Sequence, residues 1–221
     1  MTDITVKYTP LESLGYVTCN VPDDVMNVIR QEVQHIKDSN FHNAVPYNYT
    51  LAGQIQHEYG LKVCEPILTK FLKFILPEYW YLIGKHSEAQ KEYVIRVKDD
   101  LPNLWVNFQK KYEVNPIHDH GGLLSFVIYL NIPYSLEDEF NQPHLINGNN
   151  PPGPAFSFIY PALYTRNRHS PVSTRQLQID KSWENTIIIF PSWLQHSVNP
   201  FYTSDDYRIS VAGNIVSVNN G

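Results

Sequence analysis

Two histidines one residue apart, followed by a pair of glycines, constrain this chain more than any other stretch. Residues 115–131 read Asn-Pro-Ile-His118-Asp119-His120-Gly121-Gly122-Leu-Leu-Ser125-Phe-Val-Ile-Tyr129-Leu-Asn131. On an extended strand successive side chains alternate faces, so His118 and His120 project together while Asp119 points the other way. Two imidazoles on one face can share a metal ion, and neutral imidazole suits Fe, Zn, Cu and Ni. A facial triad with open coordination positions needs a third ligand from elsewhere. His196 is the candidate, because it follows the apolar run Thr186 to Phe190 and the Pro191-Ser192 turn and opens the next extended segment. Further on, Arg208 and Ser210 stand two apart in Tyr207-Arg208-Ile209-Ser210-Val211-Ala212. A guanidinium fork and a hydroxyl then share one strand face, which suits a small dicarboxylate.

The surrounding pattern predicts a mainly β domain with helices at its N-terminal side, an α+β chain. Strands are predicted at Leu104 to Lys111, Ile117 to His120, Leu123 to Ile132, Phe156 to Tyr160, Arg175 to Ile179, Thr186 to Phe190, His196 to Val198 and Tyr207 to Val218. Eight short strands with turn signals between them point to a sandwich or jelly roll rather than a parallel α/β sheet. Before them, residues 3–8 and 13–19 read as extended edges. Apolar spacing predicts a helix capped by Asp23 or Asp24 and running to Ile36. A second helix is predicted from Glu65 to Phe74, with Pro77 stopping or kinking it. Residues 40–53 read as loop, and residues 133–155 as a long connection where a substrate loop or lid would sit. At 221 residues one domain is expected, 1–103 a helical support region and 104–221 the jelly-roll core.

Three segments resemble the iron(II)- and 2-oxoglutarate-dependent dioxygenase superfamily, in its prolyl-hydroxylase-like branch with small phage-type members. They are His118-x-His120, the strand Ser125-x-x-x-Tyr129-Leu-Asn131, and His196 with Arg208-x-Ser210; together they span about residues 105–214. The resemblance implies a double-stranded β-helix (jelly roll, cupin-like) and an oxidoreductase that uses Fe(II), 2-oxoglutarate and O2. It would hydroxylate a peptidyl or small-molecule C–H bond while 2-oxoglutarate becomes succinate and CO2. It also implies that His118, His120 and His196 hold the metal, that Arg208 makes a bidentate pair with the distal carboxylate of 2-oxoglutarate beside Ser210, and that Tyr129 donates its phenol there. Ser125, on the face of Tyr129, and Asn107, on the face of Trp105 and Gln109, join the cofactor-binding candidates. One departure stands out: the family's second ligand is Asp or Glu, and here it is His120, unless Asp119 serves through a bulge.

Plainer readings compete. His118 and His120 would be surface groups on an edge strand, His196 a hydrogen-bonded core histidine, Tyr129 a buried tyrosine with any partner, and Arg208 the partner of Asp205 or Asp206. Trp193 reads as core. At the level of function the rivals are a cupin-like three-histidine enzyme that does not use 2-oxoglutarate and a non-catalytic jelly-roll binding protein. Net charge of −5 with pI near 6.0 and no long run of like charges argues against nucleic acid or acidic membrane as a general partner. Two cysteines, Cys19 and Cys64, and an N-terminus without a basic, then apolar, leader fit a reducing cytoplasm.

Overall fold

The computed structural model describes residues 15–98, 101–149, 151–161 and 172–218; the extended edge expected over residues 3–8 lies outside them. In chain order the elements are β1 (Val17–Asn20), α1 (Asp23–Asp38), β2 (Val45–Pro46), β3 (His57–Gly60), α2 (Glu65–Leu82) and β4 (Tyr93–Ile95). A small ribbon, β5 (Val97–Lys98) and β6 (Leu101–Pro102), leads to β7 (Leu104–Gln109), β8 (Asn115–His118), β9 (Leu124–Asn131) and the short α3 (Leu136–Phe140). The chain ends through β10 (Ala155–Pro161), β11 (Val172–Gln178), β12 (Thr186–Pro191), β13 (His196–Val198) and β14 (Arg208–Ser217).

From β7 onward the chain deals its strands between two facing antiparallel sheets. The larger runs β1-β12-β9-β14-β7-β3-β2 with β4 added to β14, and the smaller runs β11-β10-β13-β8. This is a double-stranded β-helix. The described residues before β7 contribute strands as well as helices, since β1 extends the sheet beside β12 and β3 extends it beside β7.

Strict alternation along the large sheet sorts its side chains into two cores. Leu104, Val106, Phe108, Ile128, Val211 and Ile215 face α1 and α2, while Trp105, Val127, Tyr129, Phe190 and Ala212 face the small sheet. The central strands are buried on both sides, which is why they read as near-continuous apolar runs. Helix α1 presents Val25, Met26, Ile29, Val33 and Ile36 to the first core. Its N-cap position is Pro22, without a side-chain bond, so Asp23 and Asp24 sit in the first turn and favour the helix through its dipole instead of capping it.

Helix α2 corrects its predicted end. It runs through Pro77 to Leu82, because Leu68, Leu72, Leu76, Tyr79 and Trp80 bury one continuous stripe that outweighs the missing proline N–H. Phe74, the predicted last residue of the helix, lies off that stripe and is 73% exposed.

Candidate metal centre

His118 ends β8 and His196 begins β13, and the two are direct cross-strand partners with ring centroids 4.2 Å apart. His120 lies two residues past the end of β8, so the expected strand over residues 117–120 stops early. Its ring still converges, at 4.8 Å from His118 and 5.0 Å from His196. The loop is held for this purpose: the His120 N–H donates to the Ser192 carbonyl at 2.8 Å, and the Ser192 hydroxyl donates to the Gly122 carbonyl at 2.6 Å. Gly122 has φ +132 and lies against β14, where a Cβ would come within 3.0 Å of the Ile215 carbonyl. Asp119 points outward and is exposed, as expected for a residue between two inward histidines.

The protonation of the rings follows from their partners. Nδ1 of His118 bonds the Pro116 carbonyl at 2.6 Å and Nδ1 of His196 bonds the Leu194 carbonyl at 2.9 Å. A carbonyl only accepts, so each Nδ1 carries the proton and each Nε2 keeps a free lone pair. Burial lowers all three histidines from their ordinary range; His120 and His196 fall to about 3, with neighbouring imidazoles adding to the effect, while the Pro116 carbonyl and Asp119 oppose it at His118. They are therefore neutral imidazoles, the form that can hold a metal. One ring atom of each lies within 4.8 Å of the others, and no other group of three or more such side chains occurs among the described residues.

Arg208 is 1% exposed and faces the same cavity as the triad. Neither Asp205 nor Asp206 neutralises it, and Asp205 instead pairs with Lys111 at 2.8 Å. The guanidinium is oriented by neutral acceptors only: Gln109 Oε1 takes bonds from Nε and Nη2 at 3.1 and 2.7 Å, the Tyr134 hydroxyl takes one from Nη1 at 2.9 Å, and the Asn199 carbonyl takes one from Nη2 at 2.7 Å. Its full positive charge remains to be matched. The expected bidentate fork is corrected, because Gln109 occupies the Nε–Nη2 edge and a single Nη1 N–H is left for a ligand. Tyr134 accepts from Arg208, which frees its own O–H to donate.

Among the other predicted residues, Asn107, Tyr129 and Ser210 line the cavity with the triad. Asn107 Nδ2 donates to the Ser210 hydroxyl at 3.2 Å, while its buried Oδ1 has no partner. Burial pushes the Tyr129 phenol well up, keeping it a neutral donor. Ser125 is not brought to the cavity; its hydroxyl donates to Asn214 at 2.7 Å. Trp193, read as core, is 56% exposed. The sequence reading missed Gln109, Tyr134 and Asn199, which position Arg208, and Asn115, whose buried Oδ1 is also unpartnered in the cavity. The only available signal was that Gln109 shares a strand face with Asn107.

Three free imidazole lone pairs gathered between the sheets of a jelly roll, with unpartnered amide groups and an unneutralised guanidinium in the same cavity, fit a metal ion and an anionic ligand together and define a mononuclear metalloenzyme. A sequence profile of the 2OG-Fe(II) oxygenase family matches residues 103–214, just over half of the chain. The chain belongs to that family, whose enzymes are oxidoreductases using Fe(II), 2-oxoglutarate and O2.

Two solved structures agree in fold. A prolyl hydroxylase from Trichoplax adhaerens, in complex with a hypoxia inducible factor peptide fragment, has TM-score 0.51 at 14% identity, over 93% of this chain and 84% of that one. HygX from Streptomyces hygroscopicus, with nickel and 2-oxoglutarate bound, has TM-score 0.50 at 10% identity, over 92% and 83%. A Pseudomonas putida prolyl-4-hydroxylase gives 0.49 at 13% identity, over 91% and 92%. A search of curated protein sequences returns no match.

Proposed function

We propose that this oxygenase hydroxylates a C–H bond of a peptidyl, including prolyl, or small-molecule substrate, with His118, His120 and His196 as the iron ligands. Arg208, Ser210, Tyr129 and Asn107 would receive 2-oxoglutarate. The observation that carries the assignment is Arg208, a fully buried cation held by neutral acceptors in the triad's own cavity. Such a charge is unfavourable unless an anion meets it. Fe(II) with 2-oxoglutarate and O2 supplies the chemistry that couples decarboxylation to succinate and CO2 with oxidation of the C–H bond.

The chain's own residues do the rest. The histidines arrive neutral, with His118 and His196 fixed in one tautomer by their carbonyl partners. Arg208 and the Tyr134 and Tyr129 hydroxyls offer N–H and O–H donors to the distal carboxylate. Phe156 and Phe190, with ring centroids 5.4 and 4.8 Å from that of His196, keep water from that side. The cavity is narrow, about 40 Å³, so the diacid enters with side-chain adjustment of the kind common on binding. Outside, depressions of about 280 and 350 Å³ share Tyr160 and Leu194 and reach Asp119 between two ligands, which supports a substrate presented from the surface, such as a peptide side chain. The free Cys19 and Cys64 support a reducing compartment, the cytoplasm.

Anaerobic titration with Fe(II) and then 2-oxoglutarate tests the assignment through the weak visible band of the chelate. The band should form in the unmodified protein and be lost in His196→Ala. In Arg208→Met it should require at least about tenfold more 2-oxoglutarate, in line with loss of a charged hydrogen bond, with iron binding retained. A flat spectrum in the unmodified protein refutes it.

A further inference from the structure

On its interior face β14 carries Arg208, Ser210, Ala212 and Asn214, so at about 3.3 Å per residue the last stands roughly 20 Å from the first. The triad lies between these ends. Trp105, the β7 partner of Ala212, is in contact with the His120 ring at 5.5 Å between centroids. Arg208 closes one end, and the other has a cation of its own.

Arg96 follows β4, its N–H bound to the Asn214 carbonyl at 2.7 Å and its carbonyl bound by the Asn103 N–H at 2.6 Å. Because Ile95 faces the helix-side core, Arg96 turns to the opposite face, that of Asn214 and the metal centre. Its guanidinium lies over Gly121, the residue after His120: a Cβ there would stand 2.6 Å from Nη1. Tyr47, stacked on Trp105 at 5.8 Å, lies close enough to feel its charge.

Arg96 is half-buried, yet the ion pairs among the described residues join Lys73 to Glu92, Lys91 to Glu88 and Lys111 to Asp205, and none involves it. No side-chain hydrogen bond engages its guanidinium among those residues either. A partly desolvated cation with all its donors unused, seated on the loop that delivers a metal ligand, is a receptor for an anion.

We propose that Arg96 anchors the primary substrate by receiving a carboxylate, which holds the C–H bond to be oxidised over the His118, His120 and His196 centre and makes the substrate an acid. A single guanidinium supplies one charge and a planar fork, the match for a carboxylate. The proposal rests on the triad being the iron site.

Anaerobic protein carrying Fe(II) and 2-oxoglutarate is titrated with the N-acetyl amino acids and with their amides, read by the visible band and by tryptophan fluorescence. The fluorescence titration is repeated without iron or 2-oxoglutarate. At least one acid should bind about tenfold or more tightly than its amide, the scale of one charge-assisted hydrogen bond. Arg96→Met should erase that preference with the visible band unchanged, Arg96→Lys should keep part of it, and Gly121→Ala, which displaces the guanidinium, should weaken it. Equal binding of acids and amides, no binding by any acid, or a preference that survives in Arg96→Met overturns the proposal. A missing visible band beside an intact acid preference counts against the iron and 2-oxoglutarate assignment alone.

Discussion

Glu58 stands on β3 as the direct partner of Asn107, fully buried, with Oε1 unpartnered and Oε2 held only by a 3.3 Å bond from Asn48. Burial, assisted by Glu113, raises its carboxyl from 4.5 to about 7. Its folded-state value exceeds the unfolded one, so the stability it allows is fully present below pH 4.5 and is lost as pH rises to about 7. The loss is on the order of 3 kcal/mol. Urea unfolding of the unmodified protein should show that decline, and Glu58→Gln should flatten it; equal pH dependence in both proteins refutes the assignment. Residues of this kind were hard to read in the sequence. His118, His120, His196 and Arg208 announce themselves because each is anomalous in its surroundings. Gln109 and Tyr134 are neutral and ordinary, and their importance comes from the Arg208 donors they meet across 99 and 74 positions of chain.

Helix α3 shows how an element outside the barrel governs a residue inside it. It lies in the connection read as a possible lid, but Glu139, 0% exposed, accepts from the Tyr202 N–H at 2.9 Å and from the Thr203 N–H and hydroxyl at 2.8 and 2.6 Å. That clamp fixes the segment whose Asn199 carbonyl and Phe201 ring surround Arg208, the ring 5.4 Å from the guanidinium carbon. Glu139→Gln leaves backbone donors facing an amide NH2, so it should cost about 2–4 kcal/mol in denaturant unfolding. It should also weaken 2-oxoglutarate binding while sparing the metal; unchanged affinity would separate the clamp from the site. The element-level misreadings have local causes. Proline 77 is overruled by its helix's buried stripe, and β8 ends early because the Ser192 bonds and the Gly122 turn, invisible in an alternating pattern, take over after His118.

At the scale of the whole molecule, alternation in the central strands separates a structural core under the helices from a functional interior between the sheets, which is why the fold class was legible from period-two runs. Of the N-terminal strands only β1 overlaps a stretch read as extended; β2 and β4 are too short to show a period. Because the histidines come from the small sheet and Arg208 from the large one, binding at both should stabilise the entire domain. Fe(II) and 2-oxoglutarate at about a hundred times their dissociation constants should add about 2.7 kcal/mol each, about 5.4 kcal/mol together, and raise Tm by roughly 10–20 °C. The 2-oxoglutarate part should fall to about half or less in Arg208→Met, and both parts should vanish in His196→Ala, as scanning calorimetry would record.

The pairing of His118 with His196 has a mechanical consequence. β8 is the outermost strand of the small sheet and β13 is its only neighbour there, through a short ladder broken by a bulge. A cation between those rings rivets a sheet margin that hydrogen bonds alone hold loosely. Chelation should therefore open the stretch around residues 110–122 to protease while the remainder stays folded, so that the three rings proposed to hold the iron would also keep the hem of the barrel from fraying.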